Sequence, residues 1–126
     1  MADPRYHIQV EVVTEYLPDQ SAPAQNHYLF SYTITIRNRG TLGARLLGRH
    51  WIIFDANCQE REVRGAGVVG EQPHLAPGTS YVYTSCAPLP TPVGGMRGSY
   101  QMIADDGARF DAPIPPFMLA GPVTVH

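Results

Sequence analysis

Hydrophobic and polar residues alternate along most of this chain, and the alternation has a period of two. A period of two places successive side chains on opposite faces of an extended strand, so it predicts β-strands rather than helices. The clearest example is residues 28–37, where large apolar residues alternate with Ser31, Thr33 and Thr35. Further strands are predicted at residues 8–13, 44–49, 50–55, 60–64, 80–85, 98–104 and 109–114.

Turn residues separate these segments at intervals that are typical of a β-sandwich. The chain has 12 Gly and 12 Pro among 126 residues, and both residue types interrupt long helices. Asp105, Asp106 and Gly107 form the strongest hairpin signal, because Asp-Gly suits the positive φ angles of a two-residue turn. About seven or eight short antiparallel strands are therefore expected, in one β-sandwich domain that covers residues 1–126.

Two local features refine this prediction. The corner at residues 75–78 precedes Tyr81 and Tyr83, either of which could fold its hydroxyl back onto the backbone, as in immunoglobulin-like sandwiches. Near the C-terminus, three prolines within residues 113–116 are expected to block further strand pairing. Residues 117–119 would then only cap an edge of the sheet.

The strand faces also predict which side chains form the core. Residues that share the apolar face of each predicted strand are expected to be buried. They are Ile8, Val10, Val12, Phe30, Tyr32, Ile34, Trp51, Ile53, Tyr83, Tyr100, Met102 and Phe110.

The charged residues exclude several classes of partner and mechanism. All 9 basic residues are Arg and the formal net charge is −2, whereas a nucleic-acid-binding protein usually has a basic stripe. The absence of Lys excludes P-loop and Schiff-base mechanisms.

No apolar run approaches the ~20 residues that span a bilayer, and no signal peptide is evident. We expect a cytoplasmic protein with no membrane span, in which Cys58 and Cys86 are reduced thiols.

Residues 65–70 match the G-x-G-x-x-G pattern of dinucleotide-binding proteins. The three glycines of the pattern are Gly65, Gly67 and Gly70. The pattern binds phosphate where a helix begins within it, but Pro73 and Pro77 follow closely and leave no helix. Glu71 would also repel a phosphate. A Rossmann-type dinucleotide site is therefore not expected.

Two interpretations of the glycines remain open. Their positive φ angles would let the chain turn across one end of the sandwich. Alternatively, consecutive backbone N–H groups could form an anion-binding concavity, with Arg61 and Arg64 close in sequence.

No grouping of residues predicts a metal site, a cofactor or a catalytic set. The 5 His and 2 Cys residues are scattered without the spacing of zinc ligands. Asp105 and Asp106 lack the alternation of a calcium loop and are expected to be turn residues. Glu60 and Glu62 share one side of a strand, where carboxylates between arginines indicate a mixed-charge edge. We therefore expect a non-enzymatic protein without a cofactor.

Trp51 also has two interpretations. A large aromatic residue in an apolar strand is expected to pack in the core. Alternatively, Arg49, His50 and Trp51 together have the composition that is enriched at interface hot spots, which would make Trp51 an anchor for a partner.

Eight segments of the chain match a known family in the right order. They are residues 14–18 (TEYLP), 32–40 (YTITIRNRG), 46–53 (LLGRHWII), 62–73 (EVRGAGVVGEQP), 83–85 (YTS), 91–94 (TPVG), 98–102 (GSYQM) and 111–117 (DAPIPPF). The block that contains the glycine pattern is highly specific. On these segments the chain resembles the bacterial ApaG family over residues 8–126.

The resemblance implies an immunoglobulin-like, fibronectin type III β-sandwich, in agreement with the strand count. Proteins of this family carry the name of a cobalt and magnesium efflux protein, a label that reflects a cation phenotype. A chain without a membrane span cannot itself be the conduit. Similar domains in eukaryotic F-box proteins and a DNA polymerase-interacting protein imply a protein-interaction module.

These considerations predict a surface around the glycine pattern that binds an unidentified protein partner. The candidate residues are Gly65, Gly67, Gly70, Arg64, Glu71, Gln72, Arg49 and Trp51. The alternative function is phosphate, pyrophosphate or nucleotide binding through residues 65–70. Binding of an anion or a divalent cation would be weak, and no nucleic-acid partner is expected.

Overall fold

The structure, a computed structural model, describes residues 3–121, which form eight β-strands and two short 3-10 turns. The strands are β1 (Ile8–Tyr16), β2 (Tyr28–Asn38), β3 (Ala44–Asp55), β4 (Glu60–Ala66), β5 (His74–Leu75), β6 (Ser80–Leu89), β7 (Val93–Ala104) and β8 (Arg109–Ala120). The 3-10 turns, Pro18–Gln20 and Pro23–Gln25, lie between β1 and β2. No helix in this part of the chain is long and apolar enough to cross a membrane.

The strands form two antiparallel sheets. One sheet has the order β1-β2-β6, and the other has the order β4-β3-β7-β8 with β5 also paired to β3. The inner faces of both sheets contribute to one hydrophobic cluster, as in a β-sandwich. The prediction of an all-β sandwich is confirmed.

The predicted core is largely confirmed. Nine of its members are buried, and the other three, Ile8, Val12 and Phe110, are partly buried against it. The pattern missed Leu46, Met96 and Leu119, which are fully buried, because a glycine-rich or proline-rich stretch interrupts the alternation around them.

The structure corrects two predicted strand boundaries. Residues 44–49 and 50–55 form one strand, β3, whose pairing with β7 is irregular between Leu46 and Gly48. A bulge of this kind shifts the alternation by one residue, which resembles a break between strands. β8 continues through its prolines to Ala120, because it is the last strand in its sheet order and an edge strand tolerates a missing N–H.

Two turn predictions are also refined. The hairpin after β7 has three loop residues, since Ala104 and Ala108 are its closing pair and Gly107 takes a φ of 87°. This geometry is the three-residue hairpin with a glycine in the left-handed region. The Tyr83 hydroxyl forms a hydrogen bond with the Tyr100 hydroxyl at 2.5 Å, so it does not fold back onto the backbone.

Candidate functional site

The glycine pattern lies at the end of β4 and continues into a tight turn. We call residues 65–72 the glycine loop. The Val68 amide donates to the Glu71 carbonyl at 2.8 Å, and the Glu71 amide donates to the Val68 carbonyl at 2.9 Å. Between them, Val69 has a φ of 43° and Gly70 has a φ of 81°. Two consecutive positive φ angles are typical of a type I′ turn.

Val69 is an unusual residue for this position. A β-branched side chain at positive φ is a conformational outlier, and such strain costs on the order of 1–3 kcal/mol. The Val69 side chain is nevertheless 56% exposed, whereas the neighbouring Val68 is fully buried in the core. The turn is therefore anchored by Val68 and presents Val69 to solvent.

Arg49 holds the beginning of the loop from β3. Its Nη1 donates to the Ala66 carbonyl at 3.0 Å and to the Gly67 carbonyl at 2.9 Å. A Cβ at position 65 would lie 2.8 Å from Cζ, Nη1 and Nη2 of Arg49. Gly65 therefore leaves the space that the guanidinium occupies.

Contacts at Gly67, Gln72 and Arg45 also hold the loop in place. A Cβ on Gly67, whose φ is 60°, would lie 2.2 Å from the Glu71 carbonyl oxygen, so only glycine fits there. The Gln72 side chain donates from Nε2 to the Leu47 carbonyl at 2.9 Å. Arg45 donates to the Gln72 carbonyl at 2.7 Å. The loop is thereby fixed to β3 at both ends.

Three backbone N–H groups of the loop are already hydrogen-bonded within the protein. The amides of Gly67, Val68 and Glu71 all donate to protein carbonyls. Carbonyls of the loop accept from Arg49. A phosphate-binding loop instead directs free N–H groups at its ligand, and the segment that follows contains β5 where a phosphate-binding fold has a helix.

Charged side chains line the solvent-facing side of β4. Arg64 Nε lies 2.7 Å from Glu62 Oε1, and His50 Nε2 lies 3.2 Å from the same oxygen without hydrogen-bond geometry. The hydrogen bond and charge of Arg64 lower the pKa of Glu62. Glu60 pairs with Arg97 at 3.1 Å. All four paired carboxylate and guanidinium side chains are exposed, so these contacts contribute little stability, and the mixed-charge interpretation is confirmed.

Trp51 does not belong to the exposed surface, which corrects one candidate site residue. It is 2% exposed, and its ring packs edge-on against Tyr32, Tyr100 and Phe117 at centroid distances of 5.5, 6.3 and 5.9 Å. The inward face of β3 directs Trp51 between the two sheets. The core interpretation therefore holds, and Trp51 cannot anchor a partner.

The other seven candidate residues lie in the glycine loop or directly beside it. Arg49 binds the loop from β3, Glu71 is exposed within the loop, and Arg64 is exposed directly before it. Sequence reasoning missed Val69, the exposed residue at the tip. The available signal was a valine before glycine in a stretch with two other glycines, a position where Asn or Gly is usual.

Three tyrosines that were predicted to lie in the core also meet one another there, which the sequence did not indicate. Tyr32, Tyr83 and Tyr100 come from three different strands and meet near Trp51 in the core. Burial raises the pKa of each of them, most strongly that of Tyr100. Their clustering depends on the packing of one sheet against the other, which no local pattern reports.

A mainly apolar recess lies at the opposite end of β4 from the glycine loop. It has a volume of about 360 Å³ and is lined by residues 26–27, 53–55, 59–61 and 88–90, including Phe54, Arg61 and Leu89. Because these segments are far apart in sequence, alternation and motif spacing did not indicate it.

The residues that the structure describes contain no group of three or more His, Cys, Asp or Glu side chains that could hold a metal ion. His74 Nε2 lies 2.8 Å from Asp105 Oδ1 as an isolated pair. Asp106 accepts hydrogen bonds from the Tyr6 hydroxyl at 2.6 Å and the Ala108 amide at 3.0 Å, and the Tyr6 bond in particular lowers its pKa. Asp106 is therefore a turn residue, as predicted.

Comparison with known proteins agrees with this architecture. The family model for the ApaG domain matches residues 18–104. Protein ApaG of Ectopseudomonas mendocina is 60% identical and that of Azotobacter vinelandii is 58% identical, each over 126 residues and the full length of both chains. A crystal structure of the putative ApaA protein from Bordetella pertussis superimposes with a TM-score of 0.91 at 50% identity, covering 94% of this chain and 97% of that chain. The chain belongs to the ApaG family.

Proposed function

We propose that this protein is a non-enzymatic protein-binding module whose contact surface is the tip of the glycine loop together with Arg64, Glu71 and Gln72. The observation that carries the proposal is Val69, which is 56% exposed and held at a φ of 43°. Strained backbone tends to occur at functional positions, where the surrounding structure maintains it.

The bracing of the loop supports this function. Val68 anchors the turn in the core, Arg49 binds two carbonyls before it, and Gln72 binds β3 after it. A tip that is already ordered loses little conformational entropy when it binds. Val69 is an exposed apolar residue, and the exposed polar residues Arg64, Glu71 and Gln72 lie close to it in sequence. An apolar residue among polar ones is the composition of the apolar centre and polar rim of a protein interface.

Val69→Asn tests the proposal because it separates binding from stability. Asn adopts positive φ more readily than Val, so the free energy of unfolding is expected to stay equal or rise, whereas the apolar contact is lost. Partners recovered from a cell lysate with the tagged wild-type protein should decrease about tenfold with the variant.

The matched control is Val82→Asn, which replaces a valine that is 58% exposed on β6. This variant should recover the same partners as the wild type. If Val69→Asn folds and retains every partner, the glycine loop is not the contact surface.

Phosphate, pyrophosphate or nucleotide binding by the same loop is the alternative. Its support is weaker, because the Gly67, Val68 and Glu71 amides already donate to protein carbonyls. Chemical-shift changes at residues 65–70 on addition of pyrophosphate would favour it. Direct binding of Co²⁺ or Mg²⁺ has only incidental carboxylates to support it among residues 3–121.

A further inference from the structure

We propose that β4 is the interface of a symmetric dimer, in which the β4 strands of two copies pair antiparallel about a twofold axis at Val63. The inference goes beyond the proposed function and does not depend on it. It rests on the free edge of β4 and on the order of charges along that edge.

β4 is the edge strand of its sheet. The sheet order is β4-β3-β7-β8, and within residues 3–121 β4 pairs only with β3. An edge strand presents unpaired N–H and C=O groups to another chain. The outward side chains Glu62 and Arg64 are 53% and 69% exposed.

The hydrogen bonds to β3 show which backbone groups remain free. The Asp55 amide donates to the Gln59 carbonyl at 3.1 Å, and the Gly67 amide donates to the Leu47 carbonyl at 2.9 Å. Antiparallel bonds alternate along a ladder, so the odd-numbered residues from 59 to 67 bond to β3. The even-numbered residues of β4 therefore direct their backbone groups outward, to the free edge.

This alternation restricts how two copies can pair. Residues that form hydrogen bonds across the interface must be even-numbered in both copies, because only the even-numbered residues direct their backbone N–H and C=O groups to the free edge. Of the registers that overlap most of the strand, one places Glu62 opposite Glu62, although it also places Glu60 opposite Arg64 twice, and another places Arg64 opposite Arg64. Like charges in these positions are destabilising.

The remaining register places Glu62 of each copy opposite Arg64 of the other. Twofold symmetry then forms this ion pair twice, and it brings Glu60 opposite the neutral Ala66. Such a self-complementary interface is the usual arrangement in homodimers. The order of charges on β4 thus selects one register and one occupant, a second copy of this chain.

The inward side chains fit the same register. Val63, which is partly buried against the core, faces Val63 of the second copy at the twofold axis, in a position without direct hydrogen bonds. Side chains approach most closely at such positions. Arg61 faces Gly65, so the long side chain meets no opposing side chain.

Charge exchange tests this register by sedimentation velocity on the full chain over a range of concentrations. The wild type should form a concentration-dependent dimer. Glu62→Arg and Arg64→Glu should each weaken it by about tenfold, because each places like charges opposite one another twice. The double variant E62R/R64E restores opposite charges and should recover the wild-type affinity within about threefold.

Cross-linking gives a second, independent readout. In a chain that carries Cys58→Ser and Cys86→Ser, Val63→Cys should form a disulfide-linked dimer on oxidation, because Cβ atoms at this position are about 4.5–5.5 Å apart. The control is Val13→Cys on the edge strand β1, where the valine is 70% exposed, and it should not cross-link efficiently.

Three results would overturn the proposal. The wild-type protein could be monomeric at every concentration, or the single charge variants could dimerise with the wild-type affinity. The third such result is a double variant that folds but stays monomeric. Val69→Asn leaves the charges of β4 unchanged, so failure of the dimer and failure of the proposed function are distinguishable.

Discussion

At the residue scale, Asn38 has the clearest structural role of any polar side chain in the described part of the protein. It is 1% exposed at the end of β2. Its Nδ2 donates to the carbonyls of Leu42 and Leu75, each at 2.8 Å, and its Oδ1 accepts from the Gly40 amide at 2.9 Å. One buried amide thereby joins the β2–β3 connection to β5, which satisfies groups that are costly to bury unpaired.

Asn38→Asp is expected to lower the free energy of unfolding by about 2–4 kcal/mol. The carboxylate cannot donate to the Leu42 and Leu75 carbonyls, and its charge would be buried beside them. Urea denaturation at neutral pH measures the effect. The control is Asn57→Asp in an exposed turn, which should change stability by less than about 0.5 kcal/mol. A similar loss in both variants would contradict this role of Asn38.

At the element scale, two glycines in extended strands serve different purposes. A Cβ on Gly98 of β7 would lie 2.0 Å from the His50 carbonyl oxygen, an atom of the β3 backbone. A Cβ on Gly65 of β4 would instead meet the end of the Arg49 side chain at 2.8 Å. A side chain can move aside, whereas a paired strand cannot move without loss of its hydrogen bonds.

Gly98→Ala should therefore destabilise the protein by about 2–4 kcal/mol, because β3 and β7 must separate locally. Gly65→Ala should cost only about 1 kcal/mol, through the lost bonds of Arg49 to the Ala66 and Gly67 carbonyls. Thermal or urea denaturation of the two variants, compared directly, provides the measurement. Equal losses would mean that the close approach at Gly98 does not limit the sheet.

The strands also show how far an element can be predicted from sequence. Period-two alternation located β1, β2 and the hairpin of β7 and β8, because strand faces and turn conformations are local properties. It divided β3 between Arg49 and His50 and ended β8 at its prolines. Those two boundaries depend on a bulge and on an edge position, and both are properties of the pairing partners.

At the scale of the whole molecule, the absence of lysine and the burial of two tyrosines together bear on stability at alkaline pH. All 9 basic residues are Arg, so lysine does not contribute to titration near pH 10. Two core tyrosines, Tyr83 and Tyr100, share a hydrogen bond, and burial raises the pKa of both above the ordinary value. The free energy of unfolding at alkaline pH should therefore depend on the burial of these two tyrosines.

Folding stability is expected to fall as the pH rises above about 10. The unfolded chain ionises its tyrosines there, whereas the folded protein keeps Tyr83 and Tyr100 neutral. The slope that each contributes rises from about half of its full value near pH 10 to about 1.4 kcal/mol per pH unit once the unfolded tyrosine is fully ionised. Urea denaturation from about pH 8 to about pH 11 measures this slope, and the double variant Y83F/Y100F should reduce it.

The double variant is the internal control, since phenylalanine keeps the ring in the core and removes the titrating hydroxyl. An equal alkaline slope in the wild type and in a folded Y83F/Y100F protein would contradict the assignment. It would show that other groups cause the loss of stability.

By itself, the sequence determined the all-β class, the faces of most strands and the position of the glycine loop, because alternation and turn residues act through neighbouring backbone. Only the tertiary structure decided what the residues contact. In the folded protein Trp51 is buried between the sheets, and Arg49 donates hydrogen bonds to the loop carbonyls. Val69 is exposed, and β4 lies at an edge. Each of these outcomes depends on packing between segments that are distant in sequence, where local pattern carries no information.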